Sequence, residues 1–96
     1  MARYIISSQA EQDIYEILSH IAKDNIDAAL DLNGRLIEIF KMLANNQEAG
    51  RERPELIEGL RSLPDGNYVI FYRQWAGNIA IVRILHSALD LDELFS

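Results

Sequence analysis

Residues 59 to 86 constrain the fold most: Gly-Leu-Arg-Ser-Leu-Pro-Asp-Gly-Asn-Tyr-Val-Ile-Phe-Tyr-Arg-Gln-Trp-Ala-Gly-Asn-Ile-Ala-Ile-Val-Arg-Ile-Leu-His. Three apolar runs are separated by two turn signals. In Pro64-Asp65-Gly66-Asn67, proline presets φ and glycine or asparagine tolerates a positive φ. Ala76-Gly77-Asn78 is a second tight turn between runs rich in β-branched and aromatic residues, the pattern of a hairpin. Tyr68 to Trp75 and Ile79 to His86 therefore predict central strands, with a shorter strand at Leu60 to Leu63. The expected unit is a three-stranded antiparallel meander. A two-residue loop and a three-residue loop at Ala76 put opposite strand faces together, so its register stays open.

The segments before the meander alternate in period. Arg3 to Ser7 reads as a first strand, with Tyr4 and Ile6 on one face and Ile5 on the other. Ser8-Gln9-Ala10-Glu11 fits a capping box. Ala10, Ile14, Ile17, Leu18 and Ile21 then recur at helical spacing. Glu11, Asp13 and Glu16 lie near that helix's start, where the macrodipole favours acids. It is expected to stop near Asp24-Asn25. Asn25 or Asp27 caps a second helix, Ile26 to about Asn45, whose stripe is Leu32, Leu36, Ile39, Phe40 and Leu43. Gly34 costs this helix ~1 kcal/mol relative to alanine. A short connection makes the pair an antiparallel hairpin that packs its apolar stripe on the sheet. Asn45 to Pro54 is a polar loop. Leu91, Leu94 and Phe95 fit a short terminal helix. The expected fold is a single α+β domain over residues 1–96, in the order β-α-α-β-β-β, with an antiparallel sheet packed against an N-terminal helical hairpin.

Composition narrows the chemistry. The 96 residues contain no cysteine, which removes disulfides and thiolate chemistry. No apolar run approaches the ~20 residues of a membrane span. Residues 1 to 8 lack a signal-peptide hydrophobic region, so a cytoplasmic protein is expected. His20 and His86 are in no metal-ligand spacing, and no phosphate loop or nucleophile elbow occurs, so neither metal nor cofactor is expected. Net charge is −6, a field that repels polyanions. The arginines nevertheless gather between residues 51 and 83, at Arg51, Arg53, Arg61, Arg73 and Arg83. Arg83, between Val82 and Ile84, has to face solvent, a carboxylate or a ligand.

Gly59-Leu60-Arg61-Ser62-Leu63-Pro64, Tyr68-Val69-Ile70-Phe71-Tyr72-Arg73 and Ile81-Val82-Arg83-Ile84-Leu85-His86 together resemble the ParE branch of the RelE/ParE toxin superfamily. The likeness runs over nearly the whole chain. Gly50-Arg51 keeps part of the family's linker pattern, while Gln47 stands where proline is common. His86-Ser87-Ala88-Leu89-Asp90 replaces two of the basic residues in the family's His-x-Arg-Arg-Asp. The resemblance implies the toxin of a bacterial type II toxin–antitoxin pair, of the kind that stabilises plasmids. Such a toxin inhibits DNA gyrase, cleaves no bond itself, and meets operator DNA only through its antitoxin.

The partner implied is a cognate ParD-like antitoxin whose disordered part folds onto the helical hairpin. An exposed apolar strip at Ile14, Leu18, Leu36 or Phe40 is expected for it. Arg61, Arg73, Arg83 and His86 are the candidate target contacts. A RelE-like alternative is a metal-independent, ribosome-dependent endoribonuclease. There Arg61 and Arg83 are the cations at a phosphorane, and His86, Tyr68 or Tyr72 moves protons. A third reading keeps only antitoxin pairing and operon autoregulation, without toxicity.

Overall fold

The computed structural model describes residues 3–89 and 95. Its elements are β1 (Tyr4–Ile6), α1 (Ser8–Ala22), α2 (Ile26–Asn45), β2 (Arg51–Glu52), β3 (Leu60–Asp65), β4 (Tyr68–Trp75) and β5 (Asn78–His86). The expected α+β architecture is present, as a helical hairpin on one face of a five-stranded sheet of order β1-β5-β4-β3-β2. Two features refine it. β1 runs parallel to β5, with Tyr4 opposite Ile79, so the sheet is mixed. Arg51–Glu52, inside the segment expected to be a loop, pairs antiparallel with β3. The short terminal helix falls outside the described residues except at Phe95, whose ring lies 4.9 Å from that of Phe71.

Both hairpins close with two-residue loops. Asp65 pairs with Tyr68 across Gly66-Asn67, and Trp75 with Asn78 across Ala76-Gly77. Ala76 (φ 50°) and Gly77 (φ 82°) both occupy the left-handed region, as the turn that matches strand twist requires. That geometry fixes the register the sequence left open. Ile70, Tyr72, Ile79, Ile81 and Ile84 face the helices and pack with Leu32, Leu36, Phe40 and Leu43. Leu60, Val69, Phe71 and Leu85 form a smaller cluster on the other face. Ile81 and Ile84 are three apart yet share the helix side. The reason is a bulge: Tyr72 pairs with Ile81 and Phe71 with Arg83, so Val82 is the extra residue.

Ser7, not Ser8, caps α1. The Ser7 Oγ accepts from the Ala10 N–H at 3.0 Å and donates to the Val82 carbonyl at 2.9 Å. The Ser7 N–H also continues the β1 ladder to the Ile81 carbonyl. One residue thus ends the strand and starts the helix, and Glu11 falls one place beyond the capping-box position. Asn25 caps α2 through its Oδ1, which accepts from the Ala28 N–H. A Cβ at Gly34 would meet nothing within 4 Å; the glycine serves no close packing.

The bulge also sets the strongest tie between the layers. Arg83 donates from Nε and Nη2 to the two carboxylate oxygens of Asp13 on α1, at 2.8 and 2.9 Å. The Ile84 N–H donates to the same carboxylate at 3.0 Å. Asp13 is buried, and Arg83 keeps 24 % of its side chain exposed. The Asp13 hydrogen bonds hold the Arg83 guanidinium above its ordinary pKa, against the opposing cost of its burial. Removing one partner strands the other and the Ile84 N–H. Asp13→Ala is therefore expected to lower unfolding free energy by about 2–3 kcal/mol, below the fully buried case because Arg83 stays part-solvated. Urea denaturation of the variant beside wild type measures it; an unchanged midpoint would show that the pair contributes nothing.

Candidate functional site

The meander's arginines do not converge. Arg61 points to the helix side of β3 and donates to the Gly50 carbonyl at 2.7 Å. Arg83 is held by Asp13. Arg73 is exposed on the other face, its guanidinium 5.8 Å over the Trp75 ring. His86 lies at the far end of β5, edge-on to Tyr68 at 5.5 Å, and its Nδ1 accepts from the Ala88 N–H. Arg61 lies opposite Tyr72, and His86 lies opposite Tyr68. Four residues along β4 and two strand spacings separate them, about 16 Å. A recess of about 250 Å³ does bring Arg83, His86 and Tyr68 together, but Asp13 and Glu16 line it too. Those two carboxylates oppose a phosphate there.

Tyr72 explains the Gly50-Arg51 segment. Its hydroxyl accepts from the Gly50 N–H at 2.7 Å and donates to the Gln47 carbonyl at 2.9 Å. A Cβ on Gly50 would lie 2.6 Å from that hydroxyl oxygen and 2.9 Å from the Ser62 carbonyl oxygen. Only glycine lets the linker close down on β4 and β3. Arg61 completes the junction, so this arginine works inside the domain.

The antitoxin strip needs correction. Leu36 and Phe40 are core residues without usable surface, because the α2 stripe they belong to is the one pressed on the sheet. Ile14 is half-buried against the same core. Of the four, only Leu18 lines the apolar groove that the hairpin does offer. That groove, about 350 Å³, is formed by Leu18, Ser19, Ala22, Ile26, Ala29, Leu30 and Asn33. Ile26 and Leu30 are 66 % and 62 % exposed. Their i, i+4 spacing sets them off the Leu32-Leu36-Phe40 stripe, a second face readable from the sequence. The Asp13 partner of Arg83, 70 residues away, had no local signal.

The described residues contain no helix long and apolar enough to cross a membrane. A solved structure described as the chromosomal ParDE toxin–antitoxin system from P. aeruginosa superposes with a TM-score of 0.73 at 26 % identity, covering 90 % of this chain and 96 % of that one. The fold is thus that of a small domain of the toxin–antitoxin kind. The family model for the ParE toxin of the type II toxin–antitoxin system, parDE, matches residues 4–91. Toxin ParE1 of Mycobacterium tuberculosis is 31 % identical over 93 residues, 95 % of each chain, in two strains. The chain belongs to the ParE toxin family of type II toxin–antitoxin systems.

Tyr72 supplies a test of the junction. Burial pushes its phenol above the ordinary value, against the hydrogen bond from Gly50. A phenol harder to ionise when folded contributes stability that is intact below pH ~10 and is lost as pH rises through the raised value. Unfolding free energy is expected to fall above pH ~10, and Tyr72→Phe to flatten that alkaline limb. Parallel alkaline limbs for the two proteins would overturn the assignment.

Proposed function

We propose that this chain is a cytoplasmic toxin that inhibits DNA gyrase, cleaves no nucleic acid itself, and is neutralised by a cognate ParD-like antitoxin seated on the helical hairpin. The observation that carries the reading is the family match across residues 4–91. The groove at Leu18, Ala22, Ile26 and Leu30 supports the antitoxin half. Two large side chains stay exposed there beside small ones that admit a partner helix. Operator DNA is then met only through the antitoxin, consistent with the acidic helices.

The wide separation of Arg61 from His86, and the internal bonds of Arg61 and Arg83, favour a gyrase poison over an endoribonuclease. The test is induction of the isolated protein in bacteria, with plasmid and total mRNA recovered together. Cleaved plasmid trapped on gyrase with intact mRNA is the expected result. Cut mRNA with intact plasmid would establish the ribonuclease instead. Normal growth with neither lesion would leave only a binding module.

The groove has its own check. Leu30→Asp places a carboxylate where a partner helix would bury it, and is expected to weaken antitoxin binding by about tenfold or more. Leu30 is exposed in the monomer, so the melting temperature should barely move. Calorimetric titration with the antitoxin measures the first and circular dichroism the second; unchanged affinity would place the antitoxin elsewhere.

A further inference from the structure

Among the described residues, the sheet's second face is only half covered. Leu60, Val69, Phe71 and Leu85 lie beneath Leu56, Val82 and Phe95. Toward the Ala76-Gly77 turn no described segment lies over Ile5 and Trp75, which stay exposed. Ile5 pairs with Ala80, Ala80 with Arg73, and Arg73 with Leu60. Paired residues share a face, so these four side chains form one row across four strands. Two residues further along β4 comes Trp75, opposite Asn78. The Arg3 N–H donates to the Asn78 Oδ1 at 3.2 Å, which fixes Arg3 at the same corner. Trp75 is 54 % exposed and Ile5 50 %.

Charge defines what this corner can take. The chain has 15 acidic and 9 basic residues. Arg35, Lys41, Arg53, Arg61 and Arg83 each have a carboxylate within 4 Å. Among the described residues Arg3, Lys23, Arg51 and Arg73 have none, although acid is in surplus, and of these four Arg3 and Arg73 lie at this corner. The result is a small cationic corner on an acidic body, built around an exposed tryptophan and an exposed isoleucine. Tryptophan and arginine are the residue types that dominate binding energy when a partner covers them. The strand pairing and the Arg73–Trp75 stack hold both in place, so little side-chain freedom is lost on binding. Nucleic acid fits less well: two arginines neutralise few phosphates, and the molecular field repels the rest.

We propose that Ile5, Ala80, Arg73 and Trp75, with Arg3 at the rim, dock an acidic segment carrying apolar side chains on the protein that this toxin inhibits. The inference rests on the gyrase reading and deepens it. The helical groove, on the opposite side of the sheet, is left to the antitoxin, so the two surfaces do not compete for the same side chains.

The test uses purified DNA gyrase with supercoiled plasmid, and reads the toxin concentration that gives half-maximal cleaved DNA. Trp75→Ala and Arg73→Glu are each expected to raise it about 30-fold. Both positions are exposed, so both variants should melt as wild type does and still bind the antitoxin. If Trp75→Ala melts early, Arg73→Glu alone carries the comparison. Trapping by the folded variants equal to wild type overturns the docking surface and leaves the gyrase reading standing. Failure of the wild type to trap gyrase overturns that reading and the docking surface with it. Trp75 is the only tryptophan in the chain. Strong quenching of its emission by a single-stranded DNA oligonucleotide at physiological salt would overturn the proposal in favour of nucleic acid.

Discussion

The Asp13 carboxylate is the point where the two layers are fastened. It accepts from the Arg83 guanidinium twice and from the Ile84 N–H once. Without the extra residue Val82 the Ile84 side chain would turn to the wrong face, and the isoleucine row under the helices would break. Bulge, ion pair and helix packing are thus one arrangement. Ser7 belongs to it as well, because its cap on α1 and its bond to the Val82 carbonyl fix where the helix starts relative to the strand. An arginine in the most apolar strand of the chain is tolerated because its charge is met by α1.

Electrostatics divide the molecule by layer. α1 carries Glu11, Asp13 and Glu16 with no lysine or arginine, and α2 is acidic on balance. The open corner of the sheet carries Arg3 and Arg73. A net charge of −6 therefore describes the helical side far better than the sheet's outer face. That division gives one small domain of the ParE toxin family two chemically different faces. The division also changes the role of several arginines. Arg61 and Arg83 look like ligands for an anion in the sequence, yet both are occupied by the protein's own oxygens.

Much of the fold was legible because local rules and tertiary packing agree. α2 has the bounds its stripe and Asn25 cap predict, and the two turns sit where glycine permits positive φ. The cap of α1 shows the limit: local rules favour Ser8, with Glu11 three residues on, and only the long-range bonds of Ser7 to Ile81 and Val82 select Ser7 instead. β2 was hidden because Arg51–Glu52 has no strand pattern; the Tyr72 hydroxyl holding Gly50 puts it beside β3. The site was less legible. Leu36 and Phe40 are apolar at helical spacing, which is also why they are buried. Ile26 and Leu30, off that stripe, were the readable signal for an exposed groove. No local pattern announces that Asp13 will reach Arg83.

The parallel pairing of β1 with β5 bears on timing. Tyr4, Ile5 and Ile6 find their partners only at Ile79 to Ile81, and α1 finds Arg83 later still. The first strand and first helix emerge during synthesis with nothing to dock on until some 70 further residues have been made. Closing a loop of that length costs entropy before any contact rewards it. A prematurely terminated chain ending before residue 78 lacks both the partner of β1 and the anchor of α1. The topology therefore ties docking of the first strand and first helix to the last stage of translation.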